Sequence, residues 1–496
     1  MDGSVWVFSV AVLVFATTLL VHRLIDGQLQ IARLPLTWFF GSWLVGLFLL
    51  ALPLFRYRES FSAETAAYVI SILTFYALGS ISAAFWARKS RFTVSYRPVA
   101  GTARRQEALT NRFIAILLSM GAIGTTLLMV NTARSGGLAL SQRLDSENFA
   151  AIRVAHMTSI ESHIGILYGP ATLMSAIGGL GIAFAFYLRG ARDDKFMSSK
   201  WLFRLAIVIL LFNVVIGLIG FGSRMFAVFA VLVGFFGFVE GRWSIGERLI
   251  VKRPTVKGIV VVCLSVIISL MVLWVAATVF LEKRVQSQDP QSLLYHTHRA
   301  NLSPFLYGLT RGDSTIQYLM FSVSYLTTPI PTLNFYLDLP SARLPGPFFG
   351  EYNFPAVARW LRRLTFSGDP LSWDRARFEI FKPLGDTQFG TNVWSTLVRD
   401  LIADFGKTGA LVFLALTAFL AQNVYQTQCL APSVRRAGLL VYLRLLLGFS
   451  GLVSILFQPQ IHWPLYLSMA LLVLGRNARQ RLPIRNNVGL KPLATD

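Results

Sequence analysis

At 496 residues, 54% hydrophobic and only 14% charged, with a mean hydropathy of +0.57, this chain is too apolar for a soluble protein. Its formal net charge of +22 would suit nucleic acid, but the surplus is gathered in short connections between apolar runs, which is a topology signal. Nucleic-acid binding is excluded as its main business on that ground.

The apolar runs predict an all-α polytopic membrane protein, each run being long enough to cross a hydrocarbon core as a helix. Eleven are expected: Val5 to Val21, Leu36 to Phe55, Ala66 to Ala87, Phe113 to Val130, Ile164 to Leu188, Leu205 to Gly220, Met225 to Phe238, Gly258 to Leu281, Gly409 to Val424, Leu439 to Leu456 and Leu465 to Leu474. They divide the chain into an amino-terminal bundle (1–281), a large loop (282–406) and a carboxyl-terminal set of helices with a basic tail (407–496). Between Ala87 and Arg112 stand Arg88, Lys89, Arg91, Arg97, Arg104, Arg105 and Arg112 against the single acid Glu107. Similar excesses follow at Arg189 to Arg204, Arg242 to Lys257, Arg435 to Arg436 and Arg476 to Lys491. Basic connections stay cytoplasmic, so the amino terminus is expected outside and the carboxyl terminus inside. The large loop then lies outside, and its twelve Lys or Arg against eleven Asp or Glu carry no such excess.

The first run follows Met1-Asp2-Gly3-Ser4 with neither a basic leader nor a small-residue cleavage pattern, so it is expected as a retained helix. The connections His22 to Leu34 and Tyr57 to Glu64 are expected as scaffold. The outer loop Asn131 to His163 holds Arg143 and Arg153, which either anchor a short interfacial helix at the headgroups or contribute to an anionic-substrate site. At the turn Gly222-Ser223-Arg224 the arginine either snorkels to the interface or points into the bundle and holds phosphate. Cys263 and Cys429 fall in a span and an inner loop, where no external disulfide forms.

In the large loop, Lys283-Arg284 leaves the eighth span, and Tyr295-His296-Thr297-His298-Arg299 opens a helix expected to continue past Arg311. The i, i+2 spacing puts the two histidines on different faces, which argues against a zinc pair and leaves one of them free to act as a base. Ile316 to Ile330 is short for a span and fits a re-entrant or interfacial segment. Pro329, Pro331, Pro340, Pro345 and Pro347 are expected to enforce an irregular path after it. The return to the membrane, Gly390 to Gly406, carries Arg399 and Asp404, five apart, as loop-closing or substrate-positioning charges. Gly406-Lys407-Thr408 is not a phosphate loop, because Leu401 stands where that pattern needs glycine.

Tyr325-Leu326-Thr327-Thr328-Pro329-Ile330-Pro331, Gly346-Pro347-Phe348, Asn392-Val393-Trp394-Ser395-Thr396 through Arg399 to Asp404-Phe405-Gly406, and Gly222-Ser223-Arg224 together resemble the oligosaccharide repeat-unit polymerases. These are the O-antigen polymerase (Wzy-type) group of bacterial membrane glycosyltransferases; Trp394-Ser395 departs from the Tyr-Thr expected there. The resemblance implies a GT-C-like scaffold in the bacterial inner membrane with its active site facing the periplasm. It implies transfer of a growing glycan from undecaprenyl diphosphate to a sugar hydroxyl of a new lipid-linked unit. Partners implied are undecaprenyl-diphosphate-linked oligosaccharides, membrane lipids and a chain-length regulator. Arg224 with Arg284, Arg299 or Arg311 is expected on the diphosphate, because guanidinium binds phosphate bidentately. His298 is expected as the base, Arg399 and Asp404 as positioning groups, and no metal or other cofactor takes part. An O-antigen ligase, or a lipid-linked oligosaccharide flippase or exporter, is the alternative.

Overall fold

The structure is a computed structural model. It describes residues 3–26, 31–58, 61–91, 103–136, 168–191, 199–216, 224–244, 290–310, 313–337, 353, 396–430, 432–452 and 459–480. Almost all of them are helical, and this is an all-α membrane protein. The long helices are α1 (Gly3–Asp26), α2 (Pro35–Ala51), α3 (Ala63–Arg91), α4 (Ala103–Gly136), α5 (Tyr168–Gly190), α6 (Ser199–Val215) and α7 (Arg224–Ser244). After a run of short elements come α12 (Leu397–Leu430), α13 (Val434–Phe449) and α14 (Pro459–Gln480). Among the described residues six stretches are long and apolar enough to cross a membrane: Ser4–Ile25, Ala63–Arg88, Asn111–Val130, Gly169–Gly190, Ala227–Ser244 and Leu397–Leu430. A helix also runs through every other expected span except Gly258 to Leu281, which lies outside the described residues.

The bundle is built around α5 and α13. Helix α13 packs against α2, α5, α7, α12 and α14, and every residue from Ala437 to Leu447 is buried. Apart from Arg444 its sequence after Ala437, GLLVYLRLLL, is apolar on every side, which lipid and a protein interior accept alike, and here it is protein that surrounds it. Around it Phe39, Phe40, Trp43, Tyr76, Leu180, Phe184 and Tyr442 form one continuous core.

Helices α3 and α12 cross closely at Gly79. A β-carbon there would fall on the Ala415 carbonyl oxygen, whereas one at Gly41 of α2 would meet nothing within 4 Å. Alanine gains roughly 1 kcal/mol of helix propensity over glycine at either site. Gly79→Ala must also push the two backbones apart, a cost of about 1–3 kcal/mol. We therefore expect Gly79→Ala to lower the thermal midpoint in detergent and Gly41→Ala to leave it level or raise it. Equal effects would mean the crossing is looser than described.

Short elements close one end of the bundle, called here the loop end. They are β1 (Phe55–Tyr57), α8 (Pro290–His298), β2 (Ala300–Leu302), α9 (Pro304–Thr310), α10 (Ser314–Thr327) and α11 (Pro329–Leu337). Strands β1 and β2 pair antiparallel, Arg56 opposite Asn301, and Leu294, Leu302, Tyr318, Phe321, Phe55 and Tyr57 form a second, small core over them.

Three expectations change here. The helix expected past Arg311 stops at His298: Arg299 takes a left-handed φ of 49°, the chain turns into β2, and Pro304 opens a new helix. Residues 329–337 are helical, because Pro329 and Pro331 sit in the first turn, where a missing N–H costs little. The Tyr57–Glu64 connection is more than scaffold, since β1 joins the large loop to the bundle.

Candidate functional site

His298 ends α8 and is wholly buried. Arg299 makes the turn that holds it: its N–H reaches back to Tyr295 O at 2.9 Å and its carbonyl accepts from Arg58 N at 2.9 Å. The imidazole lies against Phe321 and Tyr325, ring centroids 5.1 and 4.6 Å away, and its Nδ1 is 2.8 Å from Thr328 Oγ1. Among the described residues its Nε2 is buried without a hydrogen-bond partner. Burial pushes the imidazole down to about 3, so it is neutral at pH 7.

Thr328 stands where α10 gives way to α11, inside the Tyr325–Pro331 motif. It keeps helical dihedrals (φ −58°, ψ −33°) while Pro329 interrupts the N–H ladder, so the two helices meet at a kink. Ser324, Thr327, Thr328, Thr332 and Asn334 are all buried there. Tyr57 from β1 hydrogen-bonds to Thr327, and Asn334 Oδ1 accepts from the Ser62 N–H at 2.9 Å. Burial pushes the Tyr57 phenol up to about 12, which keeps it protonated.

The second group lies at the start of α12. Arg399, Asp400 and Asp404 are all buried. Arg399 donates to Asp400 Oδ1 from Nε at 3.0 Å and from Nη2 at 2.9 Å, with its guanidinium 5.5 Å from the Tyr336 ring centre. Asp404 Oδ2 accepts from Asn353 N at 2.8 Å and from Asn353 Nδ2 at 2.7 Å. Arg399 and Asp404, five apart, thus bond different partners. Arg399 takes its sequence neighbour, and the i, i+4 carboxylates Asp400 and Asp404 share one helix face. Gly406 then kinks α12 at φ 71°, and Lys407 Nζ bonds Glu64 Oε1 at 2.7 Å and Leu337 O at 3.2 Å. Helix α11 links the groups: Thr328 and Tyr336 are eight residues, about 12 Å, apart along it.

Of the expected site residues, His298 and Arg299 fall together in the first group, and Arg399 and Asp404 in the second. Arg224 is the first residue of α7. The expectations for Arg143, Arg153, Arg284 and Arg311 lie outside the described residues. Tyr57, Tyr336, Asn353 and Asp400 were missed. For Asp400 the signal was its adjacency to Arg399; for the others nothing local marks them. Among the described residues no three His, Cys, Asp or Glu side chains converge closely enough to hold a metal ion.

The neutral, buried imidazole predicts an acid limb of stability. Between its ordinary value of 6.5 and about 3 the unfolded chain binds a proton that the folded chain does not. This contribution is therefore complete above pH 6.5 and is lost as pH falls through that window. Thermal midpoints of His298→Gln should fall less over the same range, and equal slopes would contradict the burial.

At the opposite end of α2 and α12 lies a cluster that the sequence analysis passed over. Glu240 of α7 is buried between Arg33, just before α2, and Arg444 of α13. Arg33 Nη2 bonds Glu240 Oε1 at 2.9 Å. Arg444 Nη1 lies 2.8 Å from Glu240 Oε2, an ion contact without hydrogen-bond alignment. Arg444 Nη2 donates to Arg33 O at 3.0 Å, and the two guanidiniums stand over Tyr425 and Trp243. Two cations share one carboxylate in a dry setting. Arg444 interrupts the run Leu439 to Leu456, and an arginine inside an apolar run is itself a signal.

Comparison with known protein families, with characterised proteins and with solved structures finds no match to this chain.

Proposed function

We propose that this protein is a membrane glycosyltransferase that polymerises undecaprenyl-diphosphate-linked oligosaccharide repeat units. It spans the bacterial inner membrane eleven times, with the loop end facing the periplasm. The observation that carries this is the gathering of buried polar side chains from the Tyr325–Pro331 and Arg399–Asp404 motifs at one end of the bundle, bridged by α11.

The acceptor sugar hydroxyl attacks the anomeric carbon of the donor glycan. The bond from that carbon to the diphosphate oxygen breaks, and its electron pair leaves with undecaprenyl diphosphate. His298 takes the hydroxyl proton. Its own burial makes it a weak base, but the negative charge of the bound diphosphate acts in the opposite sense and raises its proton affinity as the donor arrives. Arg224, with Arg284, Arg299 or Arg311, neutralises the charge growing on the diphosphate, and Arg143 and Arg153 extend the same basic surface. Arg399 and Asp404 hold the loop and substrate in register. The leaving group needs no metal on this account.

The test is to incubate the purified full-length protein in detergent with its lipid-linked repeat unit and resolve products by size, with EDTA and with added divalent cation. A ladder of one-repeat steps in EDTA is expected. A ladder only with metal would overturn the arginine account of the diphosphate. Transfer only to a lipid A core acceptor would establish a ligase, and no glycosidic bond at all would leave a flippase or exporter.

A further inference from the structure

The hydroxyls around His298 allow one consistent placement of protons. Ser324 O accepts the Thr328 N–H at 2.8 Å and has Thr328 Oγ1 at 2.7 Å and Thr327 Oγ1 at 3.0 Å. An oxygen pair at 2.7 Å without a proton between them is repulsive, so the Thr328 hydroxyl donates to Ser324 O. Thr327 donates to the same carbonyl at 3.0 Å, so the Tyr57 phenol gives its proton to Thr327 Oγ1. Thr328 Oγ1 has no second proton to give, so the 2.8 Å contact with His298 Nδ1 requires the imidazole to donate. Every proton in the group then has an acceptor, and the atom left over is His298 Nε2, which carries a lone pair. The opposite tautomer would leave an Nε2–H donor buried without an acceptor, the costlier of the two orphans.

We infer that Thr328 is a positioning residue. It holds His298 as the Nδ1–H tautomer, so that Nε2 is the nitrogen that accepts the proton from the acceptor hydroxyl. This rests on the polymerase reading of His298. As the glycosidic bond forms and the bond to diphosphate breaks, the proton passes to Nε2. The resulting imidazolium keeps its Nδ1–H on Thr328 Oγ1, which stabilises the cation without moving. The Ser324 carbonyl, which accepts from Thr327 and Thr328, holds both hydroxyl protons turned away from the ring.

The experiment uses the full-length protein labelled with 15N-histidine in detergent, with His298 assigned by the signal missing in His298→Gln. The wild type should show a protonated Nδ1 and an unprotonated Nε2; the reverse pattern would overturn the inference whatever the enzyme makes. Thr328→Val should lose that tautomer and cut the rate of ladder formation on the order of 10²-fold. Thr328→Ser, which keeps the hydroxyl, should retain both the tautomer and most of the rate. A Thr328→Val protein with the tautomer lost and the ladder intact would overturn the positioning role alone. A wild type that makes no ladder would overturn the polymerase reading and the positioning role with it, leaving the nitrogen spectrum to decide the hydrogen bond.

Discussion

Glu240→Gln is expected to destabilise the protein by on the order of 3–5 kcal/mol, the largest effect of any single substitution considered. Among the described residues Glu240 is the only carboxylate in contact with Arg33 and Arg444, whose side chains are 6% and 0% exposed. Its loss would strand two guanidiniums in an apolar interior. Arg444→Met should cost much less, since it leaves Arg33 and Glu240 as a neutral pair bonded at 2.9 Å and puts an apolar side chain of similar length into the α13 core. The ordering follows from charge: glutamine at 240 leaves two positive charges, methionine at 444 leaves none. Thermal unfolding in detergent, followed by tryptophan fluorescence, checks it. If Arg444→Met were as damaging as Glu240→Gln, packing rather than charge would govern the cluster.

His298→Gln is expected to cut ladder formation by about 10²- to 10⁴-fold, the range a positioned general base supplies. The same variant should fold, because glutamine is of similar volume and can donate to Thr328 Oγ1. Preserved expression and thermal midpoint with polymer synthesis gone would place His298 in the chemistry. Preserved synthesis would leave it as a buried structural histidine and move the search for a base to Asp400 and Asp404, the carboxylates on one face of α12.

The helices were legible because lipid imposes one requirement on them, an unbroken apolar run, and composition alone reports that. Their arrangement was not. Apart from Arg444, nothing in Leu439 to Leu456 distinguishes a helix in contact with lipid from one surrounded by protein, yet α13 is the centre of the bundle. The site was half legible. His298, Arg399 and Asp404 drew notice as charged or titratable groups beside the membrane, and Thr328 came with the motif that carried the resemblance. Tyr57 and Asn353 reach the same region from stretches 241 residues before His298 and 51 residues before Asp404, and such long-range juxtaposition leaves no trace in local pattern. The pairing of Arg399 with Asp400 was not read from the sequence, because adjacent residues do not share a helix face. The first turn of α12, however, lets the long arginine side chain fold back on its neighbour.

The place of α13 in the bundle also orders events in time. The chain is made from its amino terminus, so α2, α5 and α7 enter the bilayer long before the helix that all three pack against. Until residues 434–449 arrive, lipid must cover the faces of Trp38, Leu180 and Phe184, and Glu240 must wait with Arg33 for its second cation. Insertion and folding are therefore separate stages for this protein. The early helices are lodged one by one, and the bundle condenses around its core only once α13 has been made.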